Sequence, residues 1–370
     1  MTTIELATLN HEVLWAAFAV AAGFGALVQR TSFCTMGAVS DVVIMGDWTR
    51  LRQWALATAV ATLGFGVLTA TGVLTASQTL YASTRWLWLS ALTGGGLFGF
   101  GMVLSSGCLS KALVRLGSGS LKSLVVLLVA GISAFATLRG LTAVWRVNTV
   151  DRMSLDLGSN ADLASLLARA GFGAAPAALL PALLVGGVLL AFALSSRQAR
   201  RPASQLAGVG VGALVLAMWC VTGQLGHLLE HPETLEETWL ATNSHHAESL
   251  SFVSPAAYSL DWLMFFSDSS NRLTVGIVSM FGVVAGSAAV ALARRGFRWE
   301  GFAGTSDLGH HLAGAVLMGV GGVTALGCSI GQGITGVSTL SLTSFVAAAA
   351  MLAGAVAGVR YQLWRLGREL

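Results

Sequence analysis

Nine apolar runs of membrane-crossing length constrain this chain more than any other feature. They lie near residues 12–29, 52–74, 87–106, 122–145, 177–195, 204–225, 272–293, 309–327 and 341–363. A bilayer core of about 30 Å takes roughly 20 apolar residues as helix. Only 10% of the 370 residues are charged, and mean hydropathy is +0.74; a soluble domain carries about 25% charged residues. The expected class is an all-α integral membrane protein. The run starting at Val13 follows Glu5 and Glu12 rather than basic residues, so it reads as a retained span and not as a secretory signal.

Four segments are too short or too broken to cross: about 31–46, 109–118, 251–266 and 329–338. Backbone outside a full helix survives at membrane depth only when buried in protein or lining a wet cavity, so these segments are where function is expected. Three of them open at a cysteine, namely Cys34, Cys108 and Cys328; the fourth carries Pro255. Two share more than that. At an offset of 220, positions 94–108 match 314–328 at Gly94, Leu97, Gly99, Gly101, Val103, Gly107 and Cys108. With one residue of slip, Ser120-Leu121-Lys122-Ser123 aligns with Ser341-Leu342-Thr343-Ser344.

Arginine placement sets an orientation. Arg197, Arg200 and Arg201 form one group, Arg294, Arg295 and Arg298 another, and Arg360, Arg365 and Arg368 a third. Residues 226–271 hold no Lys or Arg but carry Glu230, Glu233, Glu236, Glu237 and Glu248. Positive-inside reasoning places the basic groups and the C-terminus in the cytoplasm, the acidic loop outside, and the N-terminus outside. Lys111 and Arg115 then read as cytoplasmic anchors. Spans one to four enter from outside and spans six to nine from inside, with span five as connector. The expected organisation is a first membrane half with its connector helix over 1–200 and a second, inverted half over 201–370, about nine transmembrane helices plus four re-entrant ones. Paired broken segments in inverted halves point to the substrate site.

No Walker loop, dinucleotide-binding glycine motif or zincin motif is present. The basic balance (pI near 9.2) reports orientation rather than nucleic-acid binding, and no cofactor is expected. The four cysteines form no CxxC pair, which argues against a disulfide framework or a zinc site. His227, His231, His245 and His246 read as solvated residues of the acidic loop. A lone intramembrane cysteine is ordinarily a small buried hydrophobe, and Cys220 is read that way.

The motifs carry a resemblance. QR-x-x-FC-x-x-G…D at 29–41, G-x-GM-x-L-x-x-GC…R-x-G-x-G at 99–119 and GCSIGQG at 327–333 resemble the YeeE/YedE sulphur-transport family of bacteria, whose characterised members take up thiosulfate. S-F-V-S-P at 251–255 looks like the family's proline-marked fourth segment. The resemblance implies an hourglass with re-entrant helices and a path lined by Cys34, Cys108 and Cys328. It also implies inner-membrane uptake of thiosulfate or a close sulfur oxyanion, and a small cytoplasmic TusA-like sulfurtransferase as partner.

The residue chemistry suits such a cargo. Thiosulfate is a dianion with one soft sulfur and three hard oxygens. Short helices aimed at the midplane present unpaired N–H groups and partial positive charge at their N-termini. Neutral thiols hold the soft end weakly, and conduction requires weak sites. Gly107 and Gly327 are expected to take the sharp turn before each cysteine. Gln332, four residues past Cys328 and so on the same face, is a candidate amide donor to substrate. Asp41 is expected to fix its half-helix or meet Arg30. Two other readings remain: a Cu(I)/Ag(I) permease using thiolate ligands with Met36, Met102 and Met318, and a membrane sulfurtransferase forming a cysteine persulfide, for which Cys108 beside Lys111 is the candidate.

Overall fold

A computed structural model describes residues 3–230, 232, 235–268 and 271–369; His231 and Glu233 lie outside the described residues. The protein is an all-α integral membrane protein. In chain order its helices are α1 (Thr3–Thr31), α2 (Thr35–Met45), α3 (Thr49–Ala70), α4 (Trp88–Leu104), α5 (Leu109–Gly117), α6 (Leu121–Arg139) and α7 (Leu141–Asn148). There follow α8 (Leu163–Arg169), α9 (Ala174–Leu194), α10 (Pro202–Cys220), α11 (Val253–Met264), α12 (Val275–Ala293), α13 (Thr305–Thr324) and α14 (Leu342–Glu369). A π-helical segment spans Gly331–Gly336. Among the described residues, sheet is confined to two-residue strands in the loops: Arg85–Trp86 pairs with Leu155–Asp156, and His227–Leu228 with Thr238–Trp239.

Each of the nine apolar runs contains one long helix. Eight segments meet the length and apolarity of a membrane span. The remaining long helix, α13, opens on the polar turn Thr305-Ser306-Asp307 and carries His310 and His311. One expected span needs correction. The run over 122–145 is not a single helix, because α6 stops at Arg139 and Gly140 leaves helical dihedrals at φ −109°, ψ −153°. α7 starts afresh as a short helix with Leu141, Val144 and Trp145 exposed, an apolar face of the kind that lies in a membrane interface. Elsewhere, exposed Ile132, Leu184 and Val188 on long helices are what lipid, rather than water, would cover.

The packing has a repeating pattern. α1 lies along α12 and α3 along α10; α4 lies along α14 and α6 along α13. α2 packs on α3 and α14, while α11 packs on α12 and α6. These contacts map onto one another when α1, α2, α3, α4, α5 and α6 are matched with α10, α11, α12, α13, the Gly331–Gly336 segment and α14. α9 packs on α3 outside this scheme. Close approach is enforced by glycine at the α4–α14 crossing, where a Cβ at Gly99 would stand 2.1 Å from Met351 O and one at Gly354 2.2 Å from Gly96 O.

Candidate functional site

The site begins where three long helices stop. Ser32, Ser106 and Leu326 take left-handed dihedrals, with φ of 54°, 55° and 61°, and each lies two residues before a cysteine: Cys34, Cys108 and Cys328. After α4, Ser106 N–H donates to Val103 O (3.1 Å) and Gly107 N–H to Met102 O (2.8 Å). After α13, Leu326 N–H donates to Val323 O (3.0 Å) and Gly327 N–H to Gly322 O (2.7 Å). This is Schellman closure, which satisfies the last carbonyls of a helix and turns the chain. The turn is shared by two residues: Ser106 or Leu326 is left-handed, and the glycine expected at the turn, Gly107 or Gly327, also takes a positive φ that L side chains rarely adopt. The two glycines follow at φ 158°, and the position of a Cβ on each lies 3.2 Å from Cγ of Lys111 or Gln332 respectively.

Each cysteine then starts a short element. Cys34 is the N-cap of α2, its sulfur accepting from Gly37 N–H at 3.4 Å. Cys328 Sγ accepts from Gly331 N–H at 3.3 Å, and the backbone amides of Phe252 and Ile330 also reach it. Cys108 is the N-cap of α5, with its sulfur 3.2 Å from Ser110 Oγ. At Cys34 and Cys328, sulfur performs the acceptor role that a Ser or Asp oxygen usually plays at a helix start. A thiol used as acceptor retains its S–H as a weak donor for something else. Phe252 precedes α11 directly, so the proline-marked segment and the Cys328 segment meet at this sulfur.

Cys34 and Cys328 each lie within electrostatic range of Cys108, so the fold brings together thiols that are far apart in sequence. Cys108 and Cys328 are buried and Cys34 half-buried; all four cysteines are free. Cys220 ends α10 apart from these contacts and continues into a π-helical turn at Val221–Leu225.

The other candidates fall as follows. Gln332 is fully buried, but its Nε2 donates to Ala325 O at 2.6 Å. One N–H of the amide thus ties its segment to the end of α13, while its Oε1 has no hydrogen-bond partner among the described residues and its second N–H is left for another acceptor. Pro255 is buried in the first turn of α11, with its ring against Gly276 of α12. Asp41 pairs with Arg50 (3.3 Å) and not with Arg30. Lys111 and Arg115 are not simple surface anchors. Arg115 Nη1 folds back to donate to Ser106 O at 2.9 Å, and the half-buried Lys111 has Cys34, Cys108, Arg50 and Arg115 in range. The Arg50 guanidinium reaches to 2.8 Å from where a Cβ on Gly37 would stand, so the Cys34 end is basic. His227 pairs with Glu237 at 2.7 Å and stacks on Trp239. Among the described residues no three His, Cys, Asp or Glu side chains group as a metal site would.

Sequence reasoning missed two groups. Tyr81, in the loop after α3, donates its hydroxyl to Gly331 O, 250 residues away. Glu248 lies beside the Cys328 segment, accepting from Ser244 N–H at 2.9 Å and Ser244 Oγ–H at 2.6 Å. Burial pushes the Glu248 carboxyl above the ordinary carboxylate range. Burial also raises the Tyr81 hydroxyl well above its usual value, with smaller contributions from Cys328 and Glu248.

Two cavities lie near the chain breaks, one beside Leu326 and one beside Thr31. A cavity of about 90 Å³ is lined by Glu248, Ser251, Ser254, Pro255, Tyr258 and Leu326, with Gly276 at the start of α12. That is the volume of about three waters. A cleft of about 730 Å³ is lined by Arg30, Thr31, Asp47 and Arg201, with Arg294 just past the end of α12. At 1.5 Å per residue, a helix of this length holds its ends about 28 Å apart, so the two openings lie at opposite faces of the membrane region.

Long apolar helices interrupted at thiols define a multi-pass membrane protein. The chain belongs to the sulphur transport family, which it matches over residues 30–357. It is 24% identical to the thiosulfate transporter TsuA of Escherichia coli over 353 residues, 89% of each chain. It is also 24% identical to the TsuA of Spirochaeta thermophila over 361 residues, 92% of this chain and 97% of that one. A shorter likeness, 30% over 114 residues, links 31% of this chain to 27% of the probable transporter YedE of E. coli.

Proposed function

We propose that this protein carries thiosulfate, or a closely related sulfur oxyanion, across the bacterial inner membrane into the cytoplasm, along Cys328, Cys108 and Cys34 in that order. The observation that carries this reading is that Cys34 and Cys328, each at a helix break, both lie within electrostatic range of Cys108; we take the path to run from the Glu248 cavity toward the basic side. Each thiol acts as a neutral hydrogen-bonding ligand for the soft sulfur, and none as a nucleophile. Around Cys328 the amides of Phe252, Ile330 and Gly331 supply partial positive charge for a dianion without the deep trap of a buried guanidinium. At the far end Lys111 and Arg50 draw the anion onward to Cys34.

The matched packing of the helices supports reading residues 1–200 and 201–370 as inverted halves, with α9 as connector. The basic groups Arg197–Arg201, Arg294–Arg298 and Arg360–Arg368 then face the cytoplasm together with the C-terminus, and the N-terminus faces out. The arginine-lined cleft becomes the cytoplasmic exit, where a small TusA-like sulfurtransferase would receive the anion.

The deciding experiment is uptake of radiolabelled thiosulfate into proteoliposomes. Wild type and Cys220→Ala are expected to take it up, and Cys34→Ala, Cys108→Ala and Cys328→Ala to lose at least about 90% of the rate, in line with removal of one donor to a charged ligand. Uptake by all three at the wild-type rate would overturn the thiol path.

A further inference from the structure

Each pathway cysteine is accompanied by a hydroxyl. Thr35 follows Cys34, Ser329 follows Cys328, and Ser110 Oγ stands 3.2 Å from Cys108 Sγ. Thr35 is 3% exposed, Ser329 2% and Ser110 5%. Thr35 Oγ1 and Ser329 Oγ make no hydrogen bond within the described chain. Buried hydroxyls within helices usually bond to backbone, as Ser259 does to Pro255 O at 2.7 Å in α11. A buried hydroxyl left unpaired costs stability, and it recurs here at the same place relative to two different thiols.

We infer that the hydroxyls of Thr35 and Ser329, with Ser110 between them, are the oxygen-binding half of the path, so that each stage grips the cargo as a thiol–hydroxyl pair. The inference rests on the reading of the chain as a thiosulfate path. Its chemistry follows from the cargo. The thiol suits the soft terminal sulfur, while a hydroxyl is a stronger donor for a hard sulfonate oxygen. A path of thiols alone would accept an all-soft anion such as hydrosulfide as readily; a path of hydroxyls alone would accept sulfate. Pairs select anions that carry both ends. The unpaired hydroxyl is then a ready donor whose partner arrives with the substrate, which also accounts for a lone buried group next to a thiol whose sulfur is already engaged by its own helix.

The test combines stability with selectivity in Thr35→Val and Ser329→Ala. Melting temperature is measured on detergent-purified protein, and thiosulfate uptake with competition by hydrosulfide or sulfate is measured in proteoliposomes. The expected result is a melting temperature equal to or above wild type, since an unpaired polar group has been removed. The KM for thiosulfate is expected to rise about tenfold or more per site, the loss of one hydrogen bond to a charged ligand, with inhibition by hydrosulfide unchanged. Wild-type KM in both variants would overturn the inference, as would a lowered melting temperature with KM unchanged, which marks the hydroxyls as structural. Cys328→Ala run in parallel separates the two levels. If it abolishes uptake while Ser329→Ala and Thr35→Val keep wild-type KM, only the hydroxyl role falls; if Cys328→Ala transports normally, the thiol path falls and the pairing with it.

Discussion

Glu248 shares its cavity with Ser251, Ser254 and Tyr258, next to the Leu326 turn that leads into Cys328. Tyr81 and Tyr258 lie within its field, and His245, which favours the ionised form, approaches from the same loop. Beyond Tyr258 stand Arg139 and Asp261. Burial holds the proton on this carboxyl to higher pH than in the unfolded chain. Between the ordinary carboxylate value and the shifted one, the folded state therefore binds more protons, and stability falls as pH rises through that window. On the proposed function, the same ionisation sets a negative charge at the entry of the path. We expect both the melting temperature to drop and the KM for thiosulfate to climb as external pH is raised through the window, severalfold for KM. Glu248→Gln, which keeps an acceptor for Ser244, is expected to flatten both curves at the low-pH level. Parallel pH profiles for the variant and wild type would remove Glu248 from the path. At this scale the three cysteines were legible because each sits at a break in an apolar run. Tyr81 and Glu248 were not, because their contacts with the Cys328 segment are made across long stretches of chain and depend on which loop residues are buried.

The short elements show how a chain can be broken at membrane depth without stranding its polar groups. In each half, a side chain from the re-entrant segment closes back on the helix before it: Arg115 on Ser106 O, Gln332 on Ala325 O. Gln332 is a candidate substrate donor from its spacing to Cys328, and its backbone N–H does bond to Cys328 O at 2.7 Å; the side chain also serves the fold, through one N–H to Ala325 O. Replacing Gln332 with Met would leave Ala325 O unpaired, at a cost of about 1–3 kcal/mol. The expected outcome is a lowered melting temperature with the KM of the surviving protein near wild type. A raised KM at unchanged melting temperature would establish Gln332 as a ligand. The long helices were legible from apolar length alone, and so were the four short segments, whose flanking breaks the sequence marks with Gly-Cys, Phe-Cys or Pro. The end of α6 was missed because Gly140 sits inside an apolar run that hydropathy alone continues. The π geometry has no sequence signal of its own, since it is set by how tightly Gly331, Gly333 and Gly336 let the segment pack.

At the scale of the whole molecule, α4 and α14 cross unusually near because glycine lines the crossing. The weak self-match of 94–108 with 314–328 is the trace of this arrangement, for both stretches supply the glycine faces of α4 and α13 and then the turn into a cysteine. α4 is gripped on one side by α13 and on the other by α14, so its position fixes Cys108 relative to Cys328. A side chain at Gly354 has nowhere to go: the helix backbone at Gly96 lies 2.2 Å from its Cβ position, and backbone, unlike the end of a flexible side chain, does not swing aside. Gly354→Leu therefore has to push α14 off α4, a cost of at least about 2–3 kcal/mol for overpacking of this kind, and it would shift the end of α4 that leads into Cys108. Gly187 in α9 offers the contrast, because a Cβ there meets nothing within 4 Å and α9 stands outside the matched packing of the halves. Gly187→Leu is expected to melt and transport as wild type, whereas Gly354→Leu is expected to melt lower and to lose uptake even at temperatures where it remains folded. If Gly354→Leu lowered stability but left uptake by the folded fraction intact, the α4–α14 contact would be a matter of stability alone, and the spacing of the thiols would have to be set by the re-entrant segments themselves.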